Sequence, residues 1–301
     1  MKMLLVLAMF ALPKDTCYTG LYIKNLYDIR PEEYAYTADF WLWFNYRNKR
    51  FDPLKNVELI NAKQVSFSDP YYAAQVASES GKVTLIHDWK LKNYPFDRQT
   101  LRIELEAGLD TSKMLLLPEP GNFKLYKGLE LPGWRIVSVK ARGDLVHYDT
   151  DFGEQQLRGK SAFSRIHYTI EIARNSWGLF FKLLIGLYIS FFVAYLVFFV
   201  PPARDQRFSL SIGGLFAAVG NKYVMDNNIP STISFSFVDK IHDLTFLFIL
   251  ATLILSVISL KIAEKNEHAR QARFDKISAR VVITVYLIMN ISLIAEAITG
   301  S

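Results

Sequence analysis

The chain has 301 residues and a single cysteine, Cys17. That excludes an intrachain disulfide and any cysteine metal cluster. Its five histidines, His87, His147, His167, His242 and His268, have no metal-ligand spacing. There is no nucleophile elbow, no glycine-rich phosphate loop and no His-Glu zinc helix, so neither catalysis nor a cofactor is expected. The formal net charge is +6, yet no clustered basic face of the kind that binds nucleic acid is present. The excess suits the Lys/Arg-rich cytoplasmic loops of a membrane protein. At 51% hydrophobic residues the chain is also too apolar to be disordered.

The apolar residues are unevenly spread, with a break near Ser176. Residues 1–16 read as a secretory signal: Met1-Lys2, an apolar run from Met3 to Leu12, then Pro13-Lys14-Asp15. The run is too short to span a bilayer, which takes about 20 residues. Residues 17–176 read as an extracytoplasmic all-β sandwich, and residues 177–301 as an all-α domain of four membrane helices.

Period-two alternation carries the β reading. It is seen in Val57 to Phe67, Leu101 to Leu105 and Phe163 to Ile172, and the aromatic-rich run Thr37 to Tyr46 and the short runs Lys82 to Trp89 and Trp134 to Val139 read as further strands. Turn residues punctuate the gaps, at Asp69-Pro70, Pro118 to Gly121, Pro132-Gly133 and Gly153. Many short strands so spaced indicate a sandwich or barrel.

Beyond Trp177 the pattern changes. Leu179 to Val200, Leu244 to Ile262 and Val281 to Ile298 are apolar and long enough to span. Ser209 to Asn227 is helix-length but only moderately apolar. Arg204 and Arg207 follow the first span. Lys261, Lys265, Arg270, Arg273, Lys276 and Arg280 separate the last two. These basic segments share one side of a membrane only if residues 209–227 also cross it. The rule thus gives four spans and an N-terminal domain outside.

A polar helix within a membrane must face water or protein. Stepping from Ser209 at helical spacing gives Gly213, Phe216, Gly220, Tyr223 and Asn227 on one stripe, with Asp205 one turn earlier on the same face. Leu210, Ile212, Leu215 and Val219 lie off it. A symmetric ring of such helices would enclose a water column, with Phe216 as a hydrophobic constriction. The same small residues also suit close helix packing.

Tyr94-Pro95-Phe96-Asp97, followed by Gln99, resembles the Phe-Pro-Phe-Asp signature loop of the pentameric ligand-gated ion channels, the Cys-loop receptor superfamily. His87 and Leu101 stand where animal members have the loop cysteines, as in the bacterial branch. Arg207-Phe208-Ser209-Leu210-Ser211-Ile212 and Ile229-Pro230-Ser231-Thr232 resemble the two ends of the family's pore helix. Arg174-Asn175 is similar to its basic junction before the first span. Trp134 and Tyr36-Thr37-Ala38-Asp39 resemble residues of its sandwich strands. Phe44-Asn45-Tyr46 departs from the family's Trp-x-Asp, and Phe216 from its usual aliphatic gate.

The resemblance implies a homopentameric, multi-pass channel of the cell inner membrane, in contact with membrane lipid. Its gating interface would gather Glu32, Glu33, Tyr94, Pro95, Phe96, Asp97, Arg174, Ile229 and Pro230, with Asp97 paired to Arg174. Asp205 at the cytoplasmic mouth would favour cations, with Arg204 and Arg207 offsetting its field. The agonist would bind under the hairpin from His147 to Lys160, at Tyr148, Asp149, Asp151, Phe152 and Glu154. Aromatic rings there suit an amine, carboxylates suit Ca²⁺, and a proton is a third agonist. The rival is a non-conducting membrane sensor or binding protein of the same fold.

Overall fold

Among the described residues, alternating burial along the first half of the chain produces ten strands, and the apolar second half produces four helices. The computed structural model describes residues 15–48, 52–153, 161–202, 204, 206–226 and 235–300. The strands are β1 (Asp15–Arg30), β2 (Ala35–Asn45), β3 (Val57–Leu59), β4 (Ala62–Phe67), β5 (Tyr71–Ala73), β6 (Val76–Ile86), β7 (Arg98–Ala107), β8 (Met114–Leu125), β9 (Trp134–Tyr148) and β10 (Ser161–Arg174). The helices are α1 (Ser176–Tyr195), continued by a 3₁₀ turn at Leu196–Phe199, then α2 (Gln206–Asp226), α3 (Phe237–Glu264) and α4 (His268–Thr299). Three helices are long and apolar enough to cross a membrane, and α2 is not among them.

The chain forms two units. One comprises Met1–Trp89 and Gln99–Ile172; the other comprises Lys90–Arg98 and Ala173–Ser301. The division falls near residue 172, and the turn at residues 90–98 belongs with the helices. Of the segment read as a signal, Asp15 and Thr16 open β1, and residues 1–14 lie outside the described residues.

The strand unit has one sheet ordered β4-β6-β2-β1-β8, with β5 on β6, and another ordered β3-β7-β10-β9. Their facing sides interlock. Tyr36 of β2 donates to the Arg102 carbonyl of β7 at 2.7 Å, and Tyr168 of β10 donates to the Thr19 carbonyl of β1 at 3.1 Å. Between the sheets lie Leu21, Ile23, Phe40, Leu42, Phe44, Leu101, Ile103, Ile166 and Ile170, all at most 1% exposed. Each such side chain contributes roughly 1.5–3 kcal/mol on burial. Cys17 is buried in the same core.

Two parts of the strand unit depart from the expected pattern. The run from Val57 to Phe67 is broken at Ile60-Asn61, where the Asn61 side chain donates to Arg102 O and accepts from Glu104 N. β1 pairs in parallel with β8, and β8 tolerates Pro118 and Pro120 because it lies at a sheet edge.

In the helical unit, α1 ends before Pro201-Pro202, which cannot continue it. Ser236 and Asp239 form a reciprocal cap at the start of α3. The core gathers Phe180, Leu184, Leu187, Phe191, Ile241, Ile249, Val282 and Tyr286 from α1, α3 and α4. Polar side chains between helices are paired: Ser211 with Thr252, Thr245 with Tyr286, and Tyr188 with Asn290. His242 is wholly buried, its ring between Asn221 Oδ1 at 3.0 Å and the Val238 carbonyl at 2.9 Å. Lys222 bridges Asp226 and Asp239, and Glu296 pairs with Lys240.

Candidate functional site

The periodicity of α2 divides it into two faces. Arg207, Ser211, Gly214, Ala218 and Met225 are buried. Ser209, Gly213, Phe216, Gly220 and Tyr223 are all exposed, Phe216 at 71% and Tyr223 at 70%. Ile212 and Val219, which lie off the stripe, are exposed as well, so the uncovered arc of one chain is wider than the stripe. Asp205 and Asn227, the two ends of the expected stripe, lie outside the described residues.

The glycines of α2 do different jobs. A Cβ on Gly214 would lie 2.6 Å from the Ser190 carbonyl oxygen and 2.9 Å from Ala194 Cβ, so this glycine lets α1 and α2 approach closely. Gly213 and Gly220 have nothing within 4 Å of such a Cβ. Close packing within the chain therefore accounts for Gly214 and leaves the two stripe glycines unexplained.

At the base of α2, Arg207 does not flank Asp205 as a free charge. It is fully buried against Asp275 of α4, while Arg204 is exposed. Of the two arginines expected to offset the Asp205 field, Arg207 is thus paired with Asp275 and Arg204 remains exposed.

The signature-like turn and the basic junction residue meet within the helical unit. Arg174 donates from Nε to Asp97 Oδ1 at 2.6 Å and from Nη2 to Oδ2 at 3.1 Å. Its guanidinium lies 4.9 Å from the centre of the Tyr94 ring, which stacks a cation on an aromatic face. The Tyr94-Pro95 peptide bond is cis. Burial pushes the Tyr94 hydroxyl above its ordinary range, against the pull of Arg174. Phe96 packs on Trp177, Phe180 and Phe237, and the Phe237 amide donates to the Lys92 carbonyl. Glu32 and Glu33 lie in the strand unit, on the 3₁₀ turn between β1 and β2, where Glu33 pairs with Arg30. Ile229 and Pro230 lie outside the described residues.

The strand unit holds a cavity of about 350 Å³ beside the β9–β10 hairpin. Three rings wall it edge-to-face: Tyr148 with Phe152 at 5.3 Å, Tyr148 with Phe163 at 5.8 Å, and Phe152 with Phe163 at 5.7 Å. Glu58, Glu106, Asp110 and Asp151 also line it, with no lysine or arginine among the described lining residues. Phe152 adopts a positive φ of 49°, in a tight turn where its amide bonds Thr150 Oγ1 and Asp151 accepts from Gly153 N.

Behind the rings, Arg165 donates to Glu106 and to the Tyr148 hydroxyl, each at 2.7 Å, and Tyr148 donates to Glu106. Arg165 thus spends its charge on Glu106. Burial pushes the Tyr148 hydroxyl up, and its bond to Glu106 adds to the effect. Burial acts to raise the Asp110 carboxyl too, but hydrogen bonds from Ser112 and the Ala162 amide outweigh it and hold Asp110 below the usual range. The described lining is accordingly aromatic and acidic.

Of the expected ligand residues, Tyr148, Asp151 and Phe152 line this cavity. Asp149 is exposed and not among them, and Glu154 lies outside the described residues. Phe163, Glu106 and Asp110 were not singled out from the sequence. The outward alternation of Phe163, Arg165 and His167 along β10 is the signal that points to the first of them. Among the described residues no group of three His, Cys, Asp or Glu side chains could hold a metal ion.

No protein-family model matches the chain, and no curated protein matches it.

Proposed function

We propose that the chain is one subunit of a pentameric ligand-gated cation channel of the inner membrane. In this reading the strand unit is an extracytoplasmic sandwich, and all four helices cross the bilayer with α2 lining the pore. The observation that carries it is the exposed face of α2. A helix too polar to face lipid presents Ser209, Gly213, Phe216, Gly220 and Tyr223 away from its own bundle, between two helices that are apolar enough to span. A ring of identical chains would cover that face and fill its centre with water, leaving Phe216 as the dewetting constriction.

The cavity beside the β9–β10 hairpin would take the agonist. Three aromatic rings with carboxylates, and no cation among the described lining residues, suit an organic ammonium ion better than an anion. The Asp97–Arg174 pair would tie the junction before α1 to the turn at residues 90–98, within the helical unit.

Cysteine accessibility tests the pore assignment, and buried Cys17 keeps the background low. Cysteines placed singly at Ser209, Gly213, Gly220 and Tyr223 should react with a water-soluble thiosulfonate and lose current. Cysteines at Ser211 and Ala218 should resist. Equal protection of both faces in assembled protein would mean that α2 lines no water-filled path.

A further inference from the structure

Arg207, in the first turn of α2, has no exposed surface, and its burial is complete within one chain. Nη1 donates to Asp275 Oδ2 at 2.9 Å and Nη2 to Oδ1 at 2.8 Å, a fork-to-fork pair. Nη1 also reaches the Val200 carbonyl at 3.0 Å, and Nε has no partner among the described residues. Gln271 of α4 donates to Asp275 and, at 3.1 Å, to Ser259 of α3. The pair thus joins α2 to α4, with the Val200 carbonyl beyond α1 bonded to it directly and Ser259 of α3 reached through Gln271.

Such a pair is poorly explained by stability alone. Desolvating both ions offsets most of their attraction, and apolar side chains of similar volume pack as well or better. What the pair does without ambiguity is cancel charge. Arg207 lies within one helical turn of Ser209, the start of the exposed stripe. A unit charge about 10 Å from an ion, at an effective dielectric of roughly 20, changes that ion's partition by more than about tenfold. An uncancelled arginine in every subunit would ring this end of the pore with positive charge.

We infer that Asp275, although on α4 and away from the stripe, is a specificity-determining residue that keeps the pore cation-selective by neutralising Arg207. The inference rests on the pore reading of α2. It adds to that reading a charge that belongs to the permeation field but lies off the path.

The test is the reversal potential of single channels under an NaCl gradient. D275N leaves Arg207 uncancelled and should lower the Na⁺/Cl⁻ permeability ratio by at least about tenfold. R207Q/D275N replaces the ion pair with a neutral one and should return the ratio to the unmutated value. D275E should keep it. If D275N alone does not assemble, co-expression with the unmutated chain carries it into mixed pentamers, where a shift in proportion to its share is expected. An unchanged ratio in channels containing D275N, or a double variant no closer to the unmutated value than D275N, overturns the inference and leaves the channel reading intact. No current from the unmutated chain removes both.

Discussion

Arg174 holds both carboxylate oxygens of Asp97 from 77 positions along the chain, and the Asp97 side chain is 1% exposed. Breaking a buried pair from one side leaves an uncompensated charge. Asp97→Asn and Arg174→Gln should each therefore lower the stability of the helical unit by about 3–5 kcal/mol. Thermal unfolding of the purified protein measures this. The double variant should lose less than the sum of the singles, since it leaves neither charge stranded.

The glycines of α2 separate packing from lining. Gly214→Ala forces a Cβ against the Ser190 carbonyl and should destabilise by about 1–3 kcal/mol. Gly213→Ala and Gly220→Ala meet open space and should gain up to about 1 kcal/mol of helix propensity each. Melting temperatures of the three variants check the contrast. Destabilisation by all three alike would mean that the stripe glycines also serve close packing.

That stripe was legible in the sequence because a helix repeats every 3.6 residues and small residues fell on one side. The Arg207–Asp275 pair was not legible. Its partners are 68 positions apart, and nothing local tells a buried arginine from a loop arginine beside Pro201-Pro202. The cavity was half visible: Tyr148, Asp151 and Phe152 are neighbours in the chain, whereas Phe163 and Glu106 join them only through the pairing of β7 with β10. β8 was hidden by Pro118, Pro120 and Gly121, which read as a turn but sit at a sheet edge.

Glu79 on β6 gives the strand unit a pH dependence. Burial, with the Asp52 charge adding to it, pushes its carboxyl up to about 6 from 4.5. The folded state therefore holds a proton that the unfolded chain has released. Below about pH 4.5 both states are protonated and Glu79 costs nothing; as pH rises to 6 the ionised form becomes a burden, and stability falls across that window. Denaturation followed between these limits should show the fall, and Glu79→Gln should remove it.

The aromatic walls of the cavity predict amine affinity. Phe152→Ala and Phe163→Ala should each weaken tetramethylammonium binding by about tenfold, roughly 1–2 kcal/mol of cation–π contact. Tyr148→Phe keeps the ring but removes the hydroxyl that links Arg165 and Glu106, and should have a smaller effect. Calorimetric titration of the purified protein reads all three.

The most direct test of the account is current across a planar bilayer containing the purified, pentameric protein, exposed to quaternary amines under an NaCl gradient. The account predicts discrete openings that reverse towards the Na⁺ potential and grow leaky when Phe216 is replaced by alanine. Folded pentamers that pass no current with any amine, with and without the Phe216→Ala change, would contradict it.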